Sequence, residues 1–215
     1  QVLAKEGSIT GALATIDLSS ASDSISYELI PLFLPDLWVS YLCMLRSPFT
    51  LVDGDWHELN MFSSMGNGFT FELESLLFYV LARATAYHTG TPGRISVYGD
   101  DLIVPTEMYD LFSYVLSYFG FTLNRDKSFA EGPYRESCGE HYINGVNVTP
   151  FYVRGPILRL RDAIHLANQV RRWCVYEAED LDLEILCPEV EPFWYQIAEF
   201  VPHVFWGGHD VNVSD

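Results

Sequence analysis

The sequence has no long apolar run, no closely spaced cysteines and few basic residues. Its longest uninterrupted apolar run, Leu76 to Ala82, is far shorter than the roughly 20 residues that a membrane-spanning helix needs. The four cysteines are scattered without a Cys-x-x-Cys pair, which argues against a zinc site or a disulfide framework and favours free thiols in a reducing compartment. Lys and Arg total 12 against 29 Asp and Glu, giving a net charge of −17.

The scarce basic residues are unevenly distributed. Residues 125–172 carry 8 of the 12, whereas residues 173–215 carry none. A locally basic segment inside an acidic protein is a plausible surface for contacting phosphates, although arginines that merely solvate a helix face would give the same pattern. Apolar residues make up 49% of the chain, enough for a substantial packed core.

Short apolar runs with β-branched residues alternate with segments of helical periodicity. Residues 46–60, with turn signals at Pro48 and Asp53-Gly54, are predicted to form a surface excursion. Strands interleaved with helices in this way predict an α+β fold with helices packed on one face of a sheet. The pattern predicts strands at 13–18, 95–98, 102–104 and 121–123, helices from about 20 to 34, 70 to 87, 108 to 119 and 158 to 176, and a hairpin over 142–153 that turns at Asn144-Gly145.

Three aspartates are candidates for metal chemistry. Asp100 and Asp101 follow Gly99 at the tip of a predicted hairpin, where adjacent like charges repel unless a cation neutralises them. Asp17 ends a predicted buried strand, where an unpaired carboxylate is costly. Facing one another, the three would suit two metal ions roughly 4 Å apart, the arrangement that serves phosphoryl transfer. An ordinary Asp-rich turn is the alternative for the hairpin alone.

Five segments occur in order along the chain: 15–26 (TIDLSSASDSIS), 63–75 (SSMGNGFTFELES), 97–101 (VYGDD), 121–129 and 135–152. Together they resemble the polymerase motifs of the replicases of positive-strand RNA bacteriophages. Residues 135–152 resemble the segment that follows the fourth motif in that family. The family consists of levivirus-type RNA-directed RNA polymerases with a right-hand arrangement of palm, fingers and thumb. The first four segments resemble, in order, motifs A, B, C and D of that family.

The resemblance implies that residues 1–155 form the palm, with an antiparallel sheet carrying helices on one face. It further implies that residues 156–215 begin a helical thumb, and that the fingers are absent. The first and last residues of the chain suggest a piece of a longer protein. The isolated chain is expected to be inactive because it would lack the basic finger segment that escorts nucleotides.

The resemblance also assigns roles at the site. Asp17, Asp100 and Asp101 would bind two magnesium ions, or manganese in their place. Lys127 would protonate the leaving pyrophosphate, with Arg125 as a competitor for that role. A plain phosphate contact is the alternative for both basic residues.

A further set would bind the incoming nucleotide. Asp23 would accept a hydrogen bond from the ribose 2′-hydroxyl, which only a ribonucleotide offers. Motif B carries Met65 and Glu74 where the wider pattern of RNA polymerases has Ser and Asn, which weakens the assignment of Glu74 to the sugar; an acid solvated at a helix start is the alternative. Thr70 is expected to cap its helix. The nucleotide-binding candidates are Asp23, Gly66, Asn67, Gly68, Thr70 and Glu74.

Partners follow from the same resemblance. Five arginines would contact the backbone of the RNA duplex: Arg154, Arg159, Arg161, Arg171 and Arg172. The implied partners are an RNA template and product, nucleoside triphosphates, host translation elongation factors and a ribosomal protein, in the cytoplasm of the bacterial host and without a membrane.

Two rival functions remain at this point. A reverse transcriptase shares a Tyr-x-Asp-Asp hairpin, but the acid at Asp23 favours ribonucleotides. An acidic metal-binding or interaction module without catalysis would need no relation between Asp17 and the hairpin.

Overall fold

The computed structural model describes residues 1–153, 155–178 and 183–206. The chain divides into two compact units, residues 1–149 and 150–215. The first unit contains all the motif segments up to residue 149. The naming of the two parts as palm and thumb stays a prediction.

The first unit alternates helices and strands. Its elements are α1 Val2–Thr10, β1 Leu13–Ile16, β2 Leu18–Ser19, α2 Ala21–Ser24, α3 Asp36–Leu45, β3 Phe49–Val52, β4 Asp55–Glu58, α4 Thr70–Thr89, β5 Ser96–Tyr98, β6 Asp101–Pro105, α5 Tyr109–Tyr118, β7 Thr122–Leu123, β8 Tyr134–Ser137, β9 Glu140–Ile143 and β10 Val146–Asn147.

A three-stranded antiparallel sheet, in the order β1-β6-β5, forms the centre of this unit. On one face, Ile16 and Leu102 pack with residues of α4 and α5 such as Phe78 and Phe112 in the main hydrophobic core. The predicted α+β fold, with helices against an antiparallel sheet, is therefore confirmed. The opposite face is covered by α1, a helix that the sequence pattern did not assign, and by β9, the first strand of the predicted hairpin. Leu13 and Ile103 form a smaller cluster there with Ala4 and Tyr142.

The predicted helix α4 is present, but its buried face differs from the expected one. Leu76 and Val80 belong to the apolar repeat, yet their side chains are exposed, whereas Phe78 and Ala82 are fully buried. The apolar residues of this helix occur on most of its sides, so periodicity alone does not identify the side that meets the sheet.

The prediction of a helix from about residue 20 to residue 34 is wrong. Only Ala21–Ser24 is α-helical, and Ile30–Leu32 forms a short 3₁₀ turn. Ile25 is extended, and its carbonyl accepts a hydrogen bond from the Phe62 backbone N–H (2.7 Å). This tertiary pairing overrides weak helix propensity in a Ser- and Asp-rich run. Pro35 precedes α3 rather than ending a helix, in keeping with the preference of proline for helix starts.

Two predicted turns are present as hairpin turns. Residues 46–60 contain the hairpin β3–β4, which turns at Asp53-Gly54 with positive φ at both residues. Asn144-Gly145 joins β9 to β10 in the same way. The predicted strand to Val153 ends at β10, and β9 pairs on its other side with β8.

Among its described residues, the second unit contains the expected α-helix, a second α-helix and a pair of strands. These are α6 Leu160–Cys174, β11 Val175–Ala178, β12 Leu183–Leu186 and α7 Glu191–Ala198. One face of α6 buries Ala163, Ala167 and Val170. Within the described ranges, none of the helices in either unit has the length and apolarity to cross a membrane.

Candidate active site

Asp17 lies between β1 and β2 and is held by the segment that follows β7. The pairing of Leu18 with Leu123 brings this segment alongside. The Asn124 side-chain amide donates a hydrogen bond to Asp17 Oδ2 (2.8 Å), and the Asp17 backbone N–H donates to Ser128 Oγ (3.1 Å). The sequence analysis singled out neither Asn124 nor Ser128, because their contact with Asp17 depends on strands more than 100 residues apart in the sequence.

Asp100 and Asp101 lie at the turn of the hairpin β5–β6. Tyr98 pairs with Asp101, so Gly99 and Asp100 form a two-residue turn. Gly99 has φ +60°, the conformation that glycine provides at the first position of such turns. Asp100 is exposed, and Asp101 is half-buried at the start of β6.

The sheet register brings Asp17 to the same end as this hairpin. Ile16 pairs with Leu102 in the antiparallel strands β1 and β6. The same register places the next residue, Asp17, opposite Asp101 at one end of the sheet. Burial raises the pKa of Asp17, and the nearby carboxylates of Asp100 and Asp101 raise it further, while Asn124 and Lys127 lower it. The structure therefore brings together the three predicted acids and Lys127.

These residues fit magnesium in the chemistry of their donors. Carboxylate oxygens are the hard ligands that this ion prefers, and the mutual repulsion of the acids would be relieved by a cation. Within the described ranges, no three acidic, His or Cys side chains are close enough together to hold a metal ion directly. Binding would therefore require rearrangement of side chains, for which the exposed Asp100 has freedom.

Glu74 lies close to the same acids. Glu74 is only 5% exposed, and no described residue donates a hydrogen bond to its carboxyl group. Burial, followed by the charges of Asp100 and Asp23, raises the pKa of Glu74 to about 7. The interpretation of Glu74 as an acid solvated at a helix start is therefore wrong. Asp23, on α2, is exposed and near enough to Glu74 to interact electrostatically.

The loop before α4 has the expected glycine conformations but a different role for Thr70. Gly66 and Gly68 both have positive φ. Asn67 hydrogen-bonds to Ser63 within the loop (3.3 Å). Thr70 does not cap α4: the N-cap position is Phe69, without a side-chain cap. Instead, the Thr70 hydroxyl donates to the backbone carbonyl of Ser64 (2.7 Å) and fixes the loop.

The tip of the β8–β9 hairpin also reaches the site. Cys138 and Gly139 form its turn, both with positive φ. Burial raises the pKa of the Cys138 thiol, and the neighbouring Asp101 carboxylate raises it as well. No local sequence pattern indicates this proximity, which arises because β8 lies against the central sheet.

The arginine candidates belong to the second unit. Arg159, Arg161 and Arg172 are exposed, and Arg161 and Arg172 lie on the same side of α6 because they are about three helical turns apart. Arg171 is half-buried on the same helix. Arg154 lies outside the described residues.

The stability of the protein is expected to depend on pH through Glu74. A carboxyl group whose pKa is raised in the folded state binds a proton more tightly there than in the unfolded state, so stability falls as pH rises from about 4.5 to about 7. The variant Glu74→Gln should therefore gain roughly 2 kcal/mol over the parent at pH 8 and nothing at pH 4.5. Urea unfolding at both pH values, in EDTA, measures this.

The control for this prediction is Glu72→Gln, which removes an exposed carboxylate from the same turn of α4. This variant should change stability similarly at the two pH values. Equal pH dependence in the parent and Glu74→Gln would contradict the prediction.

Comparison with known proteins places the chain in a family. The profile of the family "RNA replicase, beta-chain" matches residues 1–214. The RNA-directed RNA polymerase beta chain of Enterobacteria phage fr is 46% identical over 214 residues, covering 100% of this chain and 38% of that protein. The beta chain of Escherichia phage MS2 is 44% identical, covering 98% and 38%. The subunit beta of Escherichia virus Qbeta is 49% identical over 176 residues, covering 81% and 30%.

Among solved structures, the foamy viral protease-reverse transcriptase in complex with an RNA/DNA hybrid matches with a TM-score of 0.47 and 13% identity, covering 92% of this chain and 28% of that one. The family assignment does not rest on this likeness. The chain belongs to the RNA replicase beta-chain family, whose members named above are RNA-directed RNA polymerases. It spans between 30% and 38% of the length of those relatives.

Proposed function

We propose that this chain carries the catalytic centre of an RNA-directed RNA polymerase, which replicates a viral RNA by template-directed nucleotidyl transfer from nucleoside triphosphates. The observation that carries the proposal is the convergence of Asp17, Asp100 and Asp101 at one edge of the central sheet, in a chain of the replicase family.

The three aspartates would hold two magnesium ions. When bound, these ions would lower the pKa of an attacking 3′-hydroxyl and neutralise the triphosphate. Asn124 and Ser128 hold Asp17 in place by hydrogen bonds, at the end of the sheet where the hairpin turn lies. Exposed Lys127, close enough to Asp17 to lower its pKa, would give a proton to the departing pyrophosphate.

Asp23 and Glu74 would face the sugar of the incoming nucleotide. Asp23 and Glu74 lie near one another, and Glu74 also lies near Asp100. A buried carboxyl group that accepts no hydrogen bond from a described residue favours a ligand that can hydrogen-bond to it, and ribose hydroxyls are such ligands. Gly66, Asn67, Gly68 and Thr70 would shape the adjoining loop against the nucleotide.

The exposed arginines of the second unit would bind the RNA backbone through charge, without reading sequence. Host elongation factors and a ribosomal protein would join the complete polymerase in the bacterial cytoplasm. These parts of the proposal rest on membership of the family.

The two rival functions are less well supported. A non-catalytic acidic module gives no reason for Asp17 to be held opposite the hairpin by Asn124. A reverse transcriptase is disfavoured because the relatives are named as RNA-directed RNA polymerases.

The proposal is tested with the complete polymerase that contains this segment. Labelled ribonucleotides should be incorporated into product only when magnesium and an RNA template are both present, and EDTA should abolish synthesis. Substitution of 2′-deoxynucleotides should lower incorporation, because Asp23 and Glu74 would lose a hydrogen-bond donor. Incorporation without a template, or undiminished in EDTA, would contradict the proposal.

A further inference from the structure

A hydrogen bond joins helix α4 directly to the turn of the aspartate hairpin. The backbone N–H of Gly99 donates to the hydroxyl oxygen of Ser75 at 2.8 Å. Gly99 lies in the turn, outside β5 and β6, so its N–H has no partner in the strand ladder. A serine in the interior of a helix thus receives the backbone donor that immediately precedes Asp100.

An aromatic contact reinforces this connection. The rings of Phe71 and Tyr98 meet edge to face with their centroids 4.7 Å apart. Phe71 lies one helical turn before Ser75 on α4, so both residues lie on the side of the helix that faces the hairpin. The helix therefore contacts the residue before Gly99 as well as Gly99 itself.

Gly99 fits closely beneath Phe71. A Cβ atom on Gly99 would lie 2.6 Å from Phe71 Cε2, and the positive φ of Gly99 disfavours any other residue. The turn therefore lies with its backbone against the helix, and it cannot shift without breaking the hydrogen bond or the ring contact.

The position of the turn determines where the two acids lie. Asp100 is exposed and makes no hydrogen bond to another described side chain, so its location depends on the turn that carries it. Asp101 follows directly and begins β6. Any freedom of the turn would spread the two carboxylates over many positions, and metal ligands function when they are held in one geometry.

We propose that Ser75 is a positioning residue for the catalytic hairpin, fixing the turn so that Asp100 and Asp101 present their carboxylates together with Asp17. Phe71 supports the same position through Tyr98 and Gly99. This inference rests on the proposed function, because the acids must act as metal ligands for their placement to affect catalysis.

The experiment compares Ser75→Ala with the parent in the complete polymerase. Loss of one hydrogen bond should lower kcat for single-nucleotide incorporation about fivefold and raise the half-saturating magnesium concentration about threefold, with KM for the nucleotide nearly unchanged. Ser75→Thr retains a hydroxyl and should recover most of both effects. Ser117→Ala, the same change at an exposed site on α5, serves as the matched control and should leave both values at those of the parent.

Two results would overturn the inference. Ser75→Ala with parental kcat and magnesium dependence would show that the hydrogen bond does not position the acids. A loss of activity that accompanies a lowered Tm, with an unchanged magnesium dependence, would make Ser75 a stabilising residue only. The proposed function is tested separately by Asp100→Asn, which should still lower kcat by about 10²- to 10³-fold in either case.

Discussion

Replacing Asp100 with Asn is expected to lower kcat for nucleotide incorporation by about 10²- to 10³-fold while leaving the protein folded. The side chain is exposed at the hairpin turn and makes no hydrogen bond to a described side chain, so the change removes a charge without removing a structural contact. Electrostatic stabilisation of a transition state commonly contributes rate factors of this size. The measurement is single-turnover incorporation by the complete polymerase at saturating nucleotide.

The matched control is Asp53→Asn, at the turn of the β3–β4 hairpin. Asp53 has φ +52°, a conformation that Asn adopts readily, so this variant makes the same chemical change in a comparable turn. It should retain parental activity. Equal activity of Asp100→Asn and the parent would remove the assignment of the hairpin acids and the two-metal mechanism with it.

The magnesium concentration needed for half-maximal activity provides a second test of the same variant. If Asp100 binds the ion, Asp100→Asn should need a higher magnesium concentration for half-maximal activity, since one of three charged ligands is missing. Asp53→Asn should show the parental magnesium dependence. A variant that is inactive but has an unchanged magnesium requirement would indicate a role for Asp100 other than metal binding.

The parts of the site that could be predicted from sequence are those encoded by short local patterns. Gly99-Asp100-Asp101 is a turn between two apolar runs, and glycine with two acids limits both its shape and its chemistry. The strand before Asp17 is a short apolar run and lies fully buried, as expected. Local composition sufficed here because each residue type has few alternative conformations or roles.

Other features of the site depend on long-range pairing, which local patterns do not encode. Asn124 reaches Asp17 only because β2 pairs with β7, and Cys138 reaches Asp101 only because β8 lies against the central sheet. The burial of Glu74 likewise depends on which side of α4 meets the rest of the unit. The wrong prediction of a helix from about residue 20 to residue 34 has the same origin, since Ile25 pairs with Phe62 and this pairing takes the segment out of helical geometry.

Arg135 is the clearest example of a residue whose role sequence could not indicate. It lies in the basic segment 125–172, where exposure and phosphate contact were plausible, yet it is fully buried. Among the described residues, its guanidinium donates to no carboxylate but to five backbone carbonyls, those of Leu13 (2.6 Å), Ala130 (3.0 Å), Glu131 (3.3 Å), Gly132 (2.8 Å) and Tyr134 (2.6 Å). Burial lowers the pKa of Arg135. The side chain thus ties the 130–134 loop to β1, the strand that leads into Asp17.

Replacing Arg135 with Met is expected to lower the free energy of unfolding by at least about 3 kcal/mol. Methionine fills similar space but leaves the five carbonyls without their donor, and each buried unsatisfied carbonyl is costly. Arg135→Lys should recover only a small part of the loss, because an ammonium group has three donors and cannot reproduce the planar arrangement of the guanidinium. Urea unfolding of the 215-residue chain measures all three proteins.

The matched control is Arg94→Met, which removes an exposed arginine that pairs with Glu6. An exposed ion pair contributes at most about 1 kcal/mol, so this variant should remain close to the parent. The comparison separates the loss of a positive charge, which both variants share, from the loss of the buried carbonyl contacts, which only Arg135→Met suffers. If the two variants were equally stable, the loop–strand connection through Arg135 would contribute little, and Asp17 would have to be held by Asn124 and Ser128 alone.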